Sequence, residues 1–172
     1  MADSTLSASL EDYLEVIFHI VEAKGAARPK DIATELEIGN SSVTAALKAL
    51  ATRELVNYAP YDVVTLTENG ETAAREVVRR HETLREFYVR VLAAEAELAD
   101  EAACQMEHAV PGEMVDRFVR FLEFIEMCPR GGPALLEAFR VHLDAGCRPD
   151  CVDRCPLGDP ARDSRTMEST RR

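Results

Sequence analysis

The stretch PKDIATELEIGNSSV, residues 29–43, decides the fold of this chain. Proline is tolerated at the first position of a helix, so the stretch predicts a short helix over residues 30–36. The turn over residues 39–42 supplies the start of a second helix, which continues to residue 53 with its apolar residues on one face. These residues are Val43, Ala46, Leu47 and Leu50. Two short helices joined by a tight, glycine-containing turn are typical of a helix-turn-helix.

The outer surface of this motif is suited to DNA. The helix over residues 42–53 would be the recognition helix, and its outward side chains are small or polar. Small and polar side chains can approach a DNA groove, while basic residues contact phosphates. The candidate DNA-binding residues are Arg28, Lys30, Ser41, Ser42, Thr44 and Lys48.

The flanking segments extend the motif to a winged helix. A helix over residues 10–23 precedes it and ends at Gly25. Two β-rich runs, residues 55–60 and 63–67, follow it and are joined by a turn at residues 60–62. A long helix over residues 71–91 comes next. The sequence therefore predicts a mostly α-helical protein that begins with three helices and a two-stranded wing.

Composition restricts the function. The net charge of −11 argues against a nonspecific nucleic-acid binder, but it is compatible with a specific DNA binder that also holds cations. No apolar run approaches the ~20 residues needed to span a bilayer. Residues 1–9 are polar and unlike a signal peptide, which predicts a cytoplasmic protein without a membrane partner. Five cysteines in that reducing compartment indicate metal or redox chemistry.

One stretch combines a thiol, a carboxylate and an imidazole: Cys104-Gln105-Met106-Glu107-His108. On a helix the i, i+3, i+4 spacing places Cys104, Glu107 and His108 on one face, where they could bind a divalent transition metal. The alternative is a buried Cys beside an exposed Glu-His pair. A thiol nucleophile is a distant third interpretation, because no oxyanion-forming loop or orienting group accompanies it. We therefore expect neither an enzyme nor a small-molecule substrate.

Five stretches in collinear order carry a family resemblance. The chain resembles the metal-dependent repressors of the diphtheria toxin repressor and manganese transport regulator family over roughly residues 9–127. The matching stretches are LEDYLE (10–15), Ile32-Ala33 with Ser41-Ser42-Val43-Thr44, LTENG (66–70), Arg80-His81-Glu82, and CQMEH (104–108).

The resemblance implies two domains with divalent metal bound between them. Residues 1–74 would be the winged-helix DNA-binding domain and residues 75–145 an all-helical metal-binding and dimerisation domain. In such families metal holds the two winged helices of a homodimer at the spacing of a palindromic operator. The implied ligands are Asp12, Glu15, His81, Cys104, Glu107 and His108.

The resemblance also places the dimer interface. A helix over residues 113–127 carries an apolar stripe broader than a small core needs, followed by a short helix over 134–143. The family interpretation makes this stripe the interface; the alternative is a fully buried core helix. The interface residues would be Val115, Phe118, Val119 and Leu122.

The ligand set combines two branches of the family. Asp12 resembles the manganese-type members and Cys104 the iron-type members. A thiolate favours softer ions and carboxylates accept Mn(II) or Fe(II), so we expect Fe(II) first and Mn(II) close behind. Zn(II) and Co(II) would also bind in vitro.

The C-terminal cysteines suggest a second function class. Cys128, Cys147, Cys151 and Cys155 could form a four-thiolate zinc or iron–sulfur site, or remain reduced, unbound thiols. The segment over residues 146–172 is expected to end in a disordered tail. The sequence thus predicts a metal-dependent transcriptional repressor, with a thiol- or cluster-based redox sensor on the same scaffold as the alternative.

Overall fold

The structure is a computed structural model that describes residues 6–59, 62–128 and 132–145. Seven helices and two short strands are present in this part of the chain. In order they are α1 (Ala8–Lys24), α2 (Pro29–Glu35), α3 (Asn40–Thr52), β1 (Val56–Asn57), β2 (Thr65–Leu66), α4 (Glu68–Arg90), α5 (Ala96–Met106), α6 (Gly112–Met127) and α7 (Gly132–Ala145). The mostly helical fold with a helix-turn-helix and a two-stranded wing is as predicted.

The first compact unit contains the helix-turn-helix. It comprises the described residues up to Glu82 together with Cys104–Val110. Its core is formed where the apolar stripes of α1, α2 and α3 meet, and removing such side chains from water stabilises the fold by about 1.5–3 kcal/mol each. Leu14, Ile17, Ile32, Leu47 and Leu50 are fully buried there.

The wing is shorter than the β-rich runs predicted. Among the described residues of the wing, only Val56 with Leu66 and Asn57 with Thr65 pair, in antiparallel register. Val64 instead forms a bridge with Ala27 just before α2, with backbone hydrogen bonds of 2.7 and 2.9 Å. The second β-rich run is therefore shared between two partners, which limits its pairing with the first. Residues 60–61 of the predicted turn lie outside the described residues.

Caps set the helix boundaries of this unit. Gly25 ends α1 in the left-handed conformation, φ 80°, which glycine adopts without the penalty of a Cβ. Helix α4 begins three residues earlier than its periodicity predicts. The Thr67 hydroxyl accepts a hydrogen bond from the Gly70 amide and donates one to the Glu54 carbonyl, 3.0 and 2.6 Å long. Those bonds anchor the first turn of α4 to the end of the helix-turn-helix.

Gly70 makes the same junction sensitive to substitution. A Cβ there would lie 1.8 Å from the Leu55 carbonyl oxygen, so we expect Gly70→Ala to lower the free energy of unfolding by about 1–3 kcal/mol or more. Gly39→Ala is the control, because the nearest atom to its Cβ would be Ser41 Oγ at 3.8 Å. Urea denaturation of both variants measures the difference. Equal stabilities would show that α4 does not pack this closely on Leu55.

The second compact unit is helical in its described part. It contains Thr83–Ala103 and the described residues from Pro111 onward. Leu84, Val115, Leu122 and Ile125 are buried in its core, and the Phe87 ring lies 4.8 Å from that of Phe118, centroid to centroid. None of the helices within residues 6–59, 62–128 and 132–145 is long and apolar enough to cross a membrane.

Candidate metal centre

Three segments of the first unit bring carboxylates and imidazoles together. Helix α1 carries Asp12 and Glu15, α4 carries His81, and the turn after α5 carries Glu107 and His108. Their ligand atoms form two groups, each with all atoms within 4.8 Å of one another. One group is Asp12, Glu107 and His108; the other is Glu15, His81 and Glu107. Because Glu107 belongs to both groups, it is the centre of the cluster.

Helix α5 ends earlier than the expected ligand spacing requires. It stops at Met106, so Glu107 and His108 lie in the following turn. The helical i, i+3, i+4 argument for these three residues is therefore wrong, because it assumed an unbroken helix. The Cys104 side chain is exposed and belongs to neither group. Its role as a ligand stays a prediction.

Glu107 has the environment expected of a metal ligand. Its side chain is fully buried, and Oε2 lies 2.7 Å from His81 Nδ1. Oε1 has no hydrogen-bond partner among the described residues, although His108 Nε2 lies 3.3 Å away. This separation does not by itself make a hydrogen bond, because an ion-pair distance requires no hydrogen-bond alignment. A buried carboxylate oxygen without a partner is costly, and a bound cation would satisfy it.

His108 lies between carboxylates on both sides of its ring. Nε2 is 2.7 Å from Asp12 Oδ1, and Nδ1 is 2.7 Å from Glu11 Oε2. Burial lowers the pKa of His108, but the hydrogen bond to Glu11 and the charges of Asp12 and Glu107 outweigh it and raise the pKa overall. The pKa of Glu15 is also raised, first by burial and then by the charge of Glu107. The cluster therefore concentrates negative charge that favours a cation.

Glu11 also contacts this cluster, and the sequence interpretation missed it. It is buried and bonded to both His108 and Arg80. Position 11 lies three residues before Leu14 and seven before Phe18, on the apolar face of α1. A carboxylate on that face was the available signal, because a buried acid needs a buried partner.

The candidate DNA-binding residues lie on the surface of the first unit. Ser41, Ser42 and Lys48 are exposed on α3. Thr44 is half-buried, and its hydroxyl donates to the Asn40 carbonyl at 2.9 Å. Arg28 and Lys30 are exposed at the start of α2.

The remaining predicted sites divide between the second unit and the undescribed residues. Val115 and Leu122 are buried within their own chain, whereas Phe118 and Val119 are half-buried on α6. Cys128 is half-buried at the end of α6. Cys147, Cys151, Cys155 and the predicted tail lie outside the described residues.

Comparison with protein families agrees with this geometry. The model of the iron dependent repressor N-terminal DNA binding domain matches residues 5–64. The model of the iron dependent repressor metal binding and dimerisation domain matches residues 67–136. The chain belongs to the iron-dependent repressor family. All five clustered side chains lie within the two matched ranges.

Similarity to individual proteins indicates the same family. The chain is 38% identical over 119 residues to an HTH-type transcriptional regulator of Methanocaldococcus jannaschii, a match covering 69% of this chain and 95% of the relative. It is 34% identical over 118 residues to the HTH-type transcriptional regulator MntR of Bacillus pumilus, covering 69% and 81%. A solved manganese-dependent transcriptional repressor in complex with manganese is similar with a TM-score of 0.62 and 30% identity, covering 73% of this chain and 56% of that one.

Family membership determines the class of function. The chain is a member of the metal-dependent transcriptional repressors. Its DNA-binding domain comes first in the sequence, and its metal-binding and dimerisation domain comes second. The fold and the family resemblance predicted from the sequence are confirmed. The comparisons do not support the redox-sensing alternative, or a zinc or iron–sulfur site at the C-terminal cysteines.

Proposed function

We propose that this chain represses transcription when Mn(II) or Fe(II) binds the cluster of Asp12, Glu15, His81, Glu107 and His108, and that it then binds a palindromic operator as a homodimer. The observation that supports this most strongly is Glu107, a fully buried carboxylate that both ligand groups share. One of its oxygens has no hydrogen-bond partner among the residues that the structure describes. A repressor of this kind would act in the cytoplasm, where its operator is.

The donor atoms favour these two metals. The two groups offer carboxylate oxygens and imidazole nitrogens. Oxygen-rich shells suit Mn(II), and imidazole also suits Fe(II). Without a contribution from Cys104, the preference for the softer Fe(II) loses its main argument, and Mn(II) fits at least as well. Zn(II) and Co(II) would also bind in vitro, because affinity alone favours the later first-row divalent ions.

The ligands connect the metal centre to the recognition helix. Asp12 and Glu15 lie on α1, which packs against α2, α3 and β2 in the same unit. Their negative charges repel that of Glu107 and disfavour close approach of α1 to the turn after α5. A divalent cation supplies the positive charge that these carboxylates share. With α1 held against that turn, α3 is held in one position, with Ser41, Ser42 and Lys48 exposed to DNA.

Operator binding under anaerobic conditions tests the proposal. Fluorescence anisotropy of labelled operator would be measured with Mn(II), Fe(II), Co(II), Zn(II) and no metal. Tighter binding with Mn(II) or Fe(II) than without metal is expected. Equal affinity under all five conditions would contradict metal-dependent repression.

The residue at position 12 should influence which metal ion activates operator binding. Asp12 offers a charged, hard oxygen, whereas methionine would offer a neutral, soft thioether. We expect Asp12→Met to lower the affinity for Mn(II) relative to Co(II) by roughly tenfold or more. Calorimetric titration of both metals, with thermal melts of the metal-free proteins, provides the measurement.

Asp31→Met is the control, because Asp31 occupies the first turn of α2 and lies in neither ligand group. An acid that only opposes the helix dipole contributes ~0.3–1 kcal/mol to stability and nothing to metal choice. An unchanged ratio of metal affinities with a slightly lower melting temperature would show that Asp12 has only that helix-dipole role.

A further inference from the structure

Glu11 connects the metal centre to a half-buried arginine, Arg80, without being in either ligand group. Its side chain is only 12% exposed, and Arg80 is equally enclosed at 13%. Arg80 Nη2 donates to Glu11 Oε1 at 3.0 Å, while the other carboxylate oxygen, Oε2, lies 2.7 Å from His108 Nδ1. Both oxygens of the Glu11 carboxylate are therefore bonded, Oε1 to the arginine and Oε2 to the histidine.

This arrangement determines which nitrogen of His108 carries a proton. An ionised carboxylate only accepts hydrogen bonds, so Nδ1 must be protonated when it bonds Glu11. The other nitrogen, Nε2, faces the first ligand group and lies 2.7 Å from Asp12 Oδ1. Asp12 is 44% exposed and solvent weakens its bond, whereas the bond to Glu11 is protected. The neutral ring should therefore keep its proton on Nδ1 and present the Nε2 lone pair to the metal site.

We infer that Glu11, held by Arg80, is a positioning residue that fixes the tautomer and ring orientation of His108 for metal binding. The inference rests on the proposed function, since it concerns the same metal centre. Histidine ligands commonly donate their second ring N–H to a carboxylate, and losing that partner typically costs about 10–100-fold in metal affinity.

Arg80 has a separate part in this arrangement. Glu11 is adjacent in sequence to the ligand Asp12 and could itself approach a cation if its carboxylate turned. The charge-assisted bond from Arg80 fixes Oε1 of Glu11 and so holds that oxygen away from a cation in the cluster. Arg80 thereby makes Glu11 a partner of His108 and prevents it from acting as a competing ligand.

Glu11→Gln in the full chain tests the inference directly. A glutamine amide would give its oxygen to Arg80 and turn its NH₂ group towards His108 Nδ1, because both Arg80 and an amide nitrogen are donors. The neutral ring would then carry its proton on Nε2, the nitrogen needed by the metal. We expect about 10–100-fold weaker Mn(II) binding by calorimetry. Imidazole ¹⁵N NMR of the metal-free protein, at a pH where His108 is neutral, should show the proton moved from Nδ1 to Nε2.

Two further variants separate positioning from a merely structural role. Glu76→Gln removes a carboxylate that pairs with Arg79 at 3.0 Å on the surface of α4, and should change neither readout. Arg80→Lys keeps the positive charge, and should retain the Nδ1 tautomer and most of the affinity. Arg80→Lys and the unmodified chain also test the inference if Glu11→Gln fails to fold. A proton on His108 Nε2 in either of these proteins would overturn the inference.

The outcomes distinguish the two proposals. Unchanged Mn(II) affinity and tautomer in Glu11→Gln would refute the role of Glu11 while leaving the metal centre intact. No Mn(II) or Fe(II) binding by the unmodified chain would refute the proposed function instead, and the tautomer of metal-free His108 would still report on Glu11.

Discussion

Glu107→Gln is expected to weaken metal binding by on the order of 100-fold or more, because it removes the one carboxylate that both ligand groups share. The loss should also be seen in thermal melts. Metal that binds only the folded state stabilises it by about 2.7 kcal/mol at a hundredfold excess over Kd, and this gain should disappear in the variant. Operator binding should then no longer respond to metal.

The same substitution should leave the metal-free protein intact. Glutamine keeps an oxygen that can accept from His81 Nδ1, which lies 2.7 Å from Oε2. It also removes a buried negative charge, one oxygen of which has no hydrogen-bond partner in the described part of the chain. The metal-free free energy of unfolding should change by less than about 1 kcal/mol, or rise.

Neighbouring acids provide graded controls for Glu107. Glu82→Gln changes an exposed acid of α4 and should behave as the unmodified chain does. Asp12→Asn and Glu15→Gln each affect one ligand group, so calorimetry should show one binding event weakened and the other retained. A normal metal response in Glu107→Gln would mean that this cluster does not control DNA binding.

The positions of the helices could be predicted from the sequence because each helix has a periodic apolar face. Helical spacing alone predicts that Val43, Ala46, Leu47 and Leu50 face the core, and all four are buried. Strand pairing was predicted less well, because spacing does not show which backbone groups are already bonded. Val64 pairs with Ala27, which is distant in sequence and reached only after folding.

The metal centre was only partly predictable. The structure brings together Asp12, Glu15, His81, Glu107 and His108, residues that the family resemblance implied. The end of α5 at Met106 had no glycine or proline to mark it, and the first such residue is Pro111. The assumed helical face therefore extended too far.

Glu11 was missed for a different reason. A periodic pattern records which residues are apolar, so it assigns no role to an acid on the apolar face. Its partners, Arg80 and His108, lie 69 and 97 residues away in sequence. No local rule could connect them, although the burial of a charge at that position implied that such partners exist.

The apolar breadth of α6 reflects two faces with different neighbours. One face, with Val115, Leu122 and Ile125, packs into the core of its own unit. The other exposes Met114, Phe121, Phe124 and Met127. The sequence predicted that the helix is more apolar than one core requires, but it could not assign the faces. We propose that the exposed face meets a second copy of the chain, since residues 67–136 match a dimerisation domain.

Phe124→Asp combined with Met127→Asp is therefore expected to convert the dimer to monomers. These side chains are 59% and 80% exposed, so charging them should not disturb the core, yet it would bury uncompensated carboxylates in a dimer. Operator affinity should fall by about 100-fold or more, because two linked half-site contacts become independent. Leu122→Asp should instead unfold the second unit, because Leu122 is 5% exposed.

Sedimentation velocity at micromolar concentration, with and without Mn(II), provides the measurement, and thermal melts show that the double variant is folded. Ile38→Asp is the matched control: Ile38 is an exposed apolar residue of the first unit, so a carboxylate there should leave the dimer unchanged. If the double variant remains dimeric, then another surface joins the two chains. If Leu122→Asp gives folded monomers, the core-facing side of α6 is itself part of the interface and the assignment of its two faces is reversed.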